Sequence, residues 1–136
     1  MSTIVLDTTV ASLLHPKKRN DGLRAKYDKH MSGQILAISF QSVAELWSWA
    51  EENNWETTLR DGLEVFLQKF LVIPYDPELA KTWARLSTHC KRIGRRLEAG
   101  DAWIGATAVQ YKIPLLTHDH DQVGLDFPDL NVIYYP

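Results

Sequence analysis

The stretch Thr3-Ile4-Val5-Leu6-Asp7 decides the fold. An uninterrupted Ile-Val-Leu run suits a strand covered on both faces, as in a parallel sheet flanked by helices. A carboxylate at the end of such a strand stands at the carboxyl edge of the sheet, where open α/β folds place their ligands. Asp7 is therefore the first candidate functional residue. Asp7-Thr8-Thr9 can also serve as a turn or a helix cap, and from position alone both readings stand.

The rest of the chain supports an α/β reading. Thr8 and Thr9 can cap a short helix through Val10, Ala11, Leu13 and Leu14, which Pro16 and the run to Asn20 end. A polar helical segment runs from about Leu23 to His30, and Gln34–Ile38 reads as a second buried strand. Ser39 caps a helix from Phe40 to about Glu52, which Asn53-Asn54 breaks. A second helix, from about Trp55 to Phe70, forms a hairpin with it. Leu71–Pro74 is a short strand. Asp76 followed by Pro77 at the first helical position starts a helix whose buried face is Leu79, Trp83, Leu86 and Cys90, and Gly94 ends it. After a connection or short helical turn from Arg95 to Gly100 comes a helix rich in small residues, Ala102, Gly105, Ala106 and Ala108, which permit close approach to a sheet. Ile113–Thr117 and Asn131–Tyr134 are the last strands. Alternating strands and helices predict a mainly parallel central sheet with helices on both faces, in one domain spanning residues 1–136.

Composition sets the class. Among 136 residues, 45% are hydrophobic and 24% charged, ordinary for a globular protein. A single cysteine, Cys90, excludes an internal disulfide and suits the reducing cytoplasm. No basic run followed by an apolar run opens the chain, so no secretory leader is expected. No apolar stretch approaches the ~20 residues that span a bilayer, so no membrane role is expected. The net charge of −2 does not advertise nucleic-acid binding, yet the basic residues are clumped, in Lys17-Lys18-Arg19 and in Lys91-Arg92 with Arg95-Arg96.

Three further acids are candidates for the edge that Asp7 marks. Asp119 follows the strand Leu115-Leu116-Thr117 after one residue, with Asp121 and Asp126 as competitors. Asp101 stands near the start of the small-residue helix, where the helix dipole alone favours an acid. Glu45 lies on the side of its helix opposite the stripe Val43, Leu46, Trp47 and Ala50, so periodicity turns it to solvent; Trp49, one turn on, makes that side less than wholly polar. Gathered carboxylates repel one another and require a cation to stay ionised. All-oxygen ligation selects a hard ion, Mg²⁺ or Mn²⁺, and such ions activate water and clamp phosphate oxygens.

The residues Ile4-Val5-Leu6-Asp7-Thr8-Thr9-Val10, Ser42-Val43-Ala44-Glu45-Leu46, Gly100-Asp101-Ala102-Trp103-Ile104-Gly105-Ala106-Thr107-Ala108 and Ile113-Pro114-Leu115-Leu116-Thr117-His118-Asp119 resemble a PIN-domain protein, and within that group a VapC-like toxin ribonuclease. The third block is the most specific. The resemblance implies the PIN-like α/β fold, with Asp7, Glu45, Asp101 and Asp119 as metal-binding and catalytic acids, and it turns Glu45 toward the site against the helical pattern. It implies Mg²⁺- or Mn²⁺-dependent hydrolysis of RNA to 5′-phosphate and 3′-hydroxyl ends, a cognate antitoxin, and a homodimer. Glu45 or Asp119 would help deprotonate the attacking water, with Thr8, Thr9 and Thr117 as supporting donors and Asp121 as a helper. Thr9 stands where the family often has Asn or Ser.

Other features are weaker. His118 and His120 invite zinc, but no third His or Cys lies nearby. Arg95 and Arg96, just before Asp101, are candidates for RNA phosphate contact, as is Lys17-Lys18-Arg19 with less positional support. Trp47, Trp83 and Trp103 read as core, while Trp49 and Trp55 could serve an interface. A haloacid-dehalogenase-type phosphatase would need a second acid where Thr9 stands. A PIN-like RNA- or protein-binding module without catalysis is the alternative to the enzyme, and four intact acids argue against it.

Overall fold

The computed structural model describes residues 2–18 and 20–136; Arg19 of the basic run lies outside them. Five strands form one parallel sheet: β1 (Thr3–Leu6), β2 (Ile35–Ser39), β3 (Leu71–Ile73), β4 (Leu115–Thr117) and β5 (Val132–Tyr134), in spatial order β3-β2-β1-β4-β5. β1 is central, pairing Val5 with Ala37 on one side and with Leu115 on the other. This position explains its composition. Ile4 and Leu6 face a core shared with Leu46, Leu63 and Phe66, whereas Val5 faces the opposite layer with Ile104 and Ala108. Val5 and Leu6 are completely buried, each burial contributing about 1.5–3 kcal/mol.

The helices are α1 (Thr8–Ser12), α2 (Asp21–Met31), α3 (Phe40–Glu52), α4 (Thr57–Leu67), α5 (Pro77–Arg92) and α6 (Ala99–Tyr111). Helices α1 to α4 cover one face of the sheet, and α6 covers the other with α5 packed outside it. The caps read from sequence hold for α3, where Ser39 Oγ accepts from the Gln41 amide at 3.1 Å, and for α5, where Asp76 Oδ1 accepts from Leu79 at 2.7 Å. Gly94 follows α5 with φ 71°, the left-handed conformation that glycine adopts without a Cβ penalty. Two 3₁₀ turns, Pro16–Lys18 and His120–Gln122, complete the regular structure.

Four sequence expectations change. α1 is capped by Asp7, not by Thr8 or Thr9. α6 begins at Ala99, before Asp101, so Asp101 sits inside the first turn. Trp55 is buried and packs with Trp49 at 4.7 Å and His15 at 5.3 Å, an internal aromatic cluster where an interface residue was expected. Trp83 and Trp103, expected in the core, are only half-buried and lie ring on ring at 5.4 Å. No helix among the described residues is long and apolar enough to cross a membrane.

Candidate metal centre

Because every strand runs the same way, the ends of β1 and β4 and the starts of α1, α3 and α6 converge on one edge. Asp7 terminates β1 and is 5% exposed. Its two oxygens are divided: Oδ1 accepts from the Val10 amide at 2.8 Å and caps α1, while Oδ2 accepts from the Thr117 hydroxyl and, at 3.3 Å, from the His118 amide. Burial pushes the Asp7 carboxyl up to about 6, against the opposing pull of the Thr117, Val10 and His118 hydrogen bonds; the Asp119 charge adds to the rise.

Thr117 joins two acids. Its hydroxyl donates to Asp7 and accepts from the Asp119 amide at 2.8 Å. Asp119 in turn accepts the Asp121 amide on Oδ1 at 2.9 Å, which starts the 3₁₀ turn. Carboxylate oxygens of Asp101, Asp119 and Asp121 all lie within 4.8 Å of one another, a spacing able to hold a cation. Asp101 is pushed up to about 7, first by burial, then by the charge and hydrogen bond of Asp119, and further by Glu45 and Asp7. That combination places all four expected acids in one electrostatic neighbourhood. The tight group, however, contains Asp121 alongside Asp119 and leaves Asp7 and Glu45 on its flanks.

Glu45 is half-buried and faces this edge, contrary to the helical pattern. The buried line of α3 is Ser42, Leu46 and Ala50, rotated by roughly 50° from the expected stripe at ~100° per residue. Ser42, buried at this line, lies 2.9 Å from Thr8 Oγ1, which is itself bonded to Glu45 Oε1. Gln41 donates to the other Glu45 oxygen at 3.1 Å. Gly100 packs beside this pair: a Cβ there would stand 2.8 Å from Gln41 Nε2 and 3.1 Å from Glu45 Oε2. Beyond Glu45 opens a cavity of about 220 Å³ lined by Thr8, Thr9, Ser12, Lys18 and Trp49.

Several positioning residues carried no role in the sequence reading: Gln41, Ser42, Gly100 and Gln122. Gln41 sits one turn before Glu45, a spacing at which helical side chains meet, so it was findable. Gln122 was not. Nearly completely buried, it donates to the Asp101 carbonyl at 2.7 Å from a loop with no periodic signal. The histidines lie outside the acid group. His118 Nδ1 is 3.0 Å from the Tyr27 hydroxyl, its ring stacks on Tyr134, and His120 meets Tyr134 edge-on. Arg95 is tied to the Val123 carbonyl at 2.8 Å, and Arg96 is exposed.

The donor set fits a hard divalent cation. It offers carboxylate oxygens only, and two of the acids are pushed toward neutrality by burial and mutual repulsion, the condition a bound cation relieves.

The chain is 41% identical over 54 residues to ribonuclease VapC5 of Mycobacterium tuberculosis, a stretch that spans 40% of this chain and 40% of that relative. Among solved structures, FitAcB from Neisseria gonorrhoeae is similar with a TM-score of 0.78 and 27% identity over 96% of both chains. A member of the VapBC family of toxin-antitoxin systems, VapBC-5 from Mycobacterium tuberculosis, is similar with a TM-score of 0.68 and 26% identity over 98% of both chains. The PIN-domain family model matches residues 4–128, nearly the whole chain, and with its parallel sheet and edge of acids the chain belongs to the PIN-domain family.

Proposed function

We propose that this chain is a divalent-metal-dependent endoribonuclease, the toxin of a toxin–antitoxin pair, which hydrolyses RNA phosphodiester bonds to 5′-phosphate and 3′-hydroxyl ends. The observation that carries the reading is the convergence of Asp7, Glu45, Asp101 and Asp119 on one edge, with Asp101 raised to about 7 first by burial and then by the other three. The similarity to a relative named as a ribonuclease and to a solved member of a toxin-antitoxin family supports the same reading. Its partners on this reading are RNA, a cognate antitoxin and a second copy of the chain, in the cytoplasm.

Asp101, Asp119 and Asp121 would hold the ion, with Asp7 and Glu45 beside them, and the all-oxygen set suits Mg²⁺ or Mn²⁺. When bound, such an ion activates water and neutralises charge on the scissile phosphate. The chain's own groups set the geometry. Thr117 fixes Asp7 and Asp119 relative to each other, and Gln122 anchors the first turn of α6 under Asp101. Thr8 and Gln41 orient Glu45. Glu45, held by Thr8 and Gln41 at the mouth of the small cavity, or Asp119 would help deprotonate the attacking water.

The test is cleavage of RNA by the wild type and by Asp7→Asn, with Mg²⁺ or Mn²⁺ and with chelator. Cleavage by the wild type that both the substitution and the chelator abolish is expected. Cleavage that survives both would overturn the mechanism, and a wild type that binds no divalent ion would overturn the enzyme.

A further inference from the structure

A second feature adjoins the acids and takes no part in the chemistry above. Between the end of α5 and the start of α6 runs a groove of about 780 Å³, lined by Trp83, Ser87, Lys91, Arg95, Arg96 and Glu98 among others. Its floor is joined to the acid edge: Trp83 Nε1 donates to the Ala99 carbonyl at 3.2 Å, and Ala99 opens the helix turn that carries Asp101.

The lining has two properties in combination. Three cations face one anion, Glu98, in a chain whose net charge is −2. Lys91 and Arg96 are exposed and make no ion pair among the described residues, whereas Arg95 is locked in place by the Val123 carbonyl and keeps further N–H donors. Trp83 is half-buried, backed on one side by Trp103 at 5.4 Å, and its remaining surface lines the groove. Cations for a phosphate and an aromatic ring for a base are the groups that bind single-stranded RNA.

We propose that this groove is an RNA subsite that holds a nucleotide next to the bond being cut: Lys91 and Arg96 bind the phosphate and Trp83 stacks on the base. The inference rests on the ribonuclease reading and extends it to where the substrate lies. Carboxylates that repel phosphate need neighbouring cations to bring RNA to them, and this groove supplies them beside Ala99, which opens the helix that carries Asp101. Arg95, held by the loop that follows Asp121, is a positioning cation that ties the groove to that loop.

The experiment measures binding of a fluorescein-labelled mixed-sequence single-stranded RNA 10-mer to the full chain with Ca²⁺, by anisotropy across a salt series. A Lys91→Ala/Arg96→Ala variant is expected to bind roughly tenfold more weakly, with the slope of log K against log salt reduced by about 0.7, the value for one phosphate of a single strand. Trp83→Leu is expected to weaken binding by about tenfold with the slope unchanged, and Trp83→Phe to restore most of it. A thermal melt of each variant checks folding, and the Lys91/Arg96 pair, being exposed, keeps the test valid if Trp83→Leu unfolds. Unchanged RNA affinity and salt slope in the double variant overturn the subsite. So does a loss confined to binding of an acidic polypeptide such as poly-glutamate, which would give the groove to a protein partner. The two readings fail separately. A wild type that cuts RNA with Mn²⁺ while the double variant binds normally sinks only the subsite, whereas a wild type that cuts no RNA sinks the ribonuclease.

Discussion

Asp7 uses its two oxygens for two purposes. The sequence left capping and metal ligation as competing explanations of an acid after a strand, but Oδ1 caps α1 while Oδ2 faces Thr117 and His118. The two roles separate by substitution. Asn caps a helix about as well as Asp, and it removes a buried charge whose pKa is pushed up to about 6. Asp7→Asn is therefore expected to melt at the same or a higher temperature than the wild type at pH 7.5 in chelator, while losing divalent-ion binding. Asp7→Ala, which leaves the Val10 amide uncapped, is expected to lose about 1 kcal/mol relative to Asp7→Asn; calorimetry of the three proteins decides. Equal destabilisation by both would make the carboxylate a structural group only. Gly100 offers a second residue-scale test. A Cβ there meets Gln41 Nε2 at 2.8 Å and Glu45 Oε2 at 3.1 Å. Both are ends of flexible side chains, so Gly100→Ala is expected to fold normally yet weaken Mn²⁺ binding by roughly tenfold, as loss of a ligand's supporting contacts does. Titration calorimetry with an unchanged Mn²⁺ affinity would show that the Glu45–Gln41 pair does not support the ion.

At the scale of elements, what was legible was what is local. Strand runs, the Ser39 and Asp76 caps, Pro77 and Gly94 are signals carried within a few residues, and they placed the elements to within a turn. Glu45 was not legible from its helix. The facing of α3 is set by Ser42, a small polar residue that hydrophobic periodicity ignores, meeting Thr8 across a separation of 34 residues. Its place just after the strand favours Asp119 over Asp121, but that both stand beside Asp101 was not legible, because the path of their turn depends on the bond from the Asp121 amide to Asp119. The small residues of α6 were correctly read as a close approach, although its most exacting neighbour is a loop residue. A Cβ at Gly105 would stand 3.0 Å from Gln122 Oε1 and 3.1 Å from Leu86 Cδ2. Leu86 and Gln122 are buried, with little room to yield. Gly105→Ala is expected to cost about 1–3 kcal/mol by overpacking and to shift Gln122 away from the Asp101 carbonyl. A lower urea midpoint at constant m-value would report the first effect, and weaker Mn²⁺ binding the second. A midpoint equal to that of the wild type would mean the helix can move aside.

For the molecule as a whole, the acid cluster predicts a pH dependence of unusual sign. Asp7 titrates near 3.8 when unfolded and at about 6 when folded, and Asp101 at about 7. Between those values the folded state holds more protons than the unfolded state, so stability falls as pH rises. For Asp7 the shift of roughly two units is worth on the order of 3 kcal/mol, a large share of the ~5–15 kcal/mol of a typical domain. His15 acts in the opposite sense, because burial lowers its pKa below 6.5 and stability is lost as pH falls through that range. The measurement must therefore subtract it. In chelator, the urea midpoint of the wild type minus that of Asp7→Asn is expected to fall between pH 4.5 and about 6 and to level off toward pH 7.5, since His15 is common to both proteins and cancels. Saturating Mn²⁺ is expected to raise the wild-type midpoint at pH 7.5, where a concentration of about 100 times Kd adds roughly 2.7 kcal/mol, and to add little at pH 4.5, where protons occupy the same oxygens. A difference that rises with pH in chelator would mean that Asp7 is stabilised as an anion by its hydrogen bonds, and the electrostatic case for a cation at this edge would fail with it.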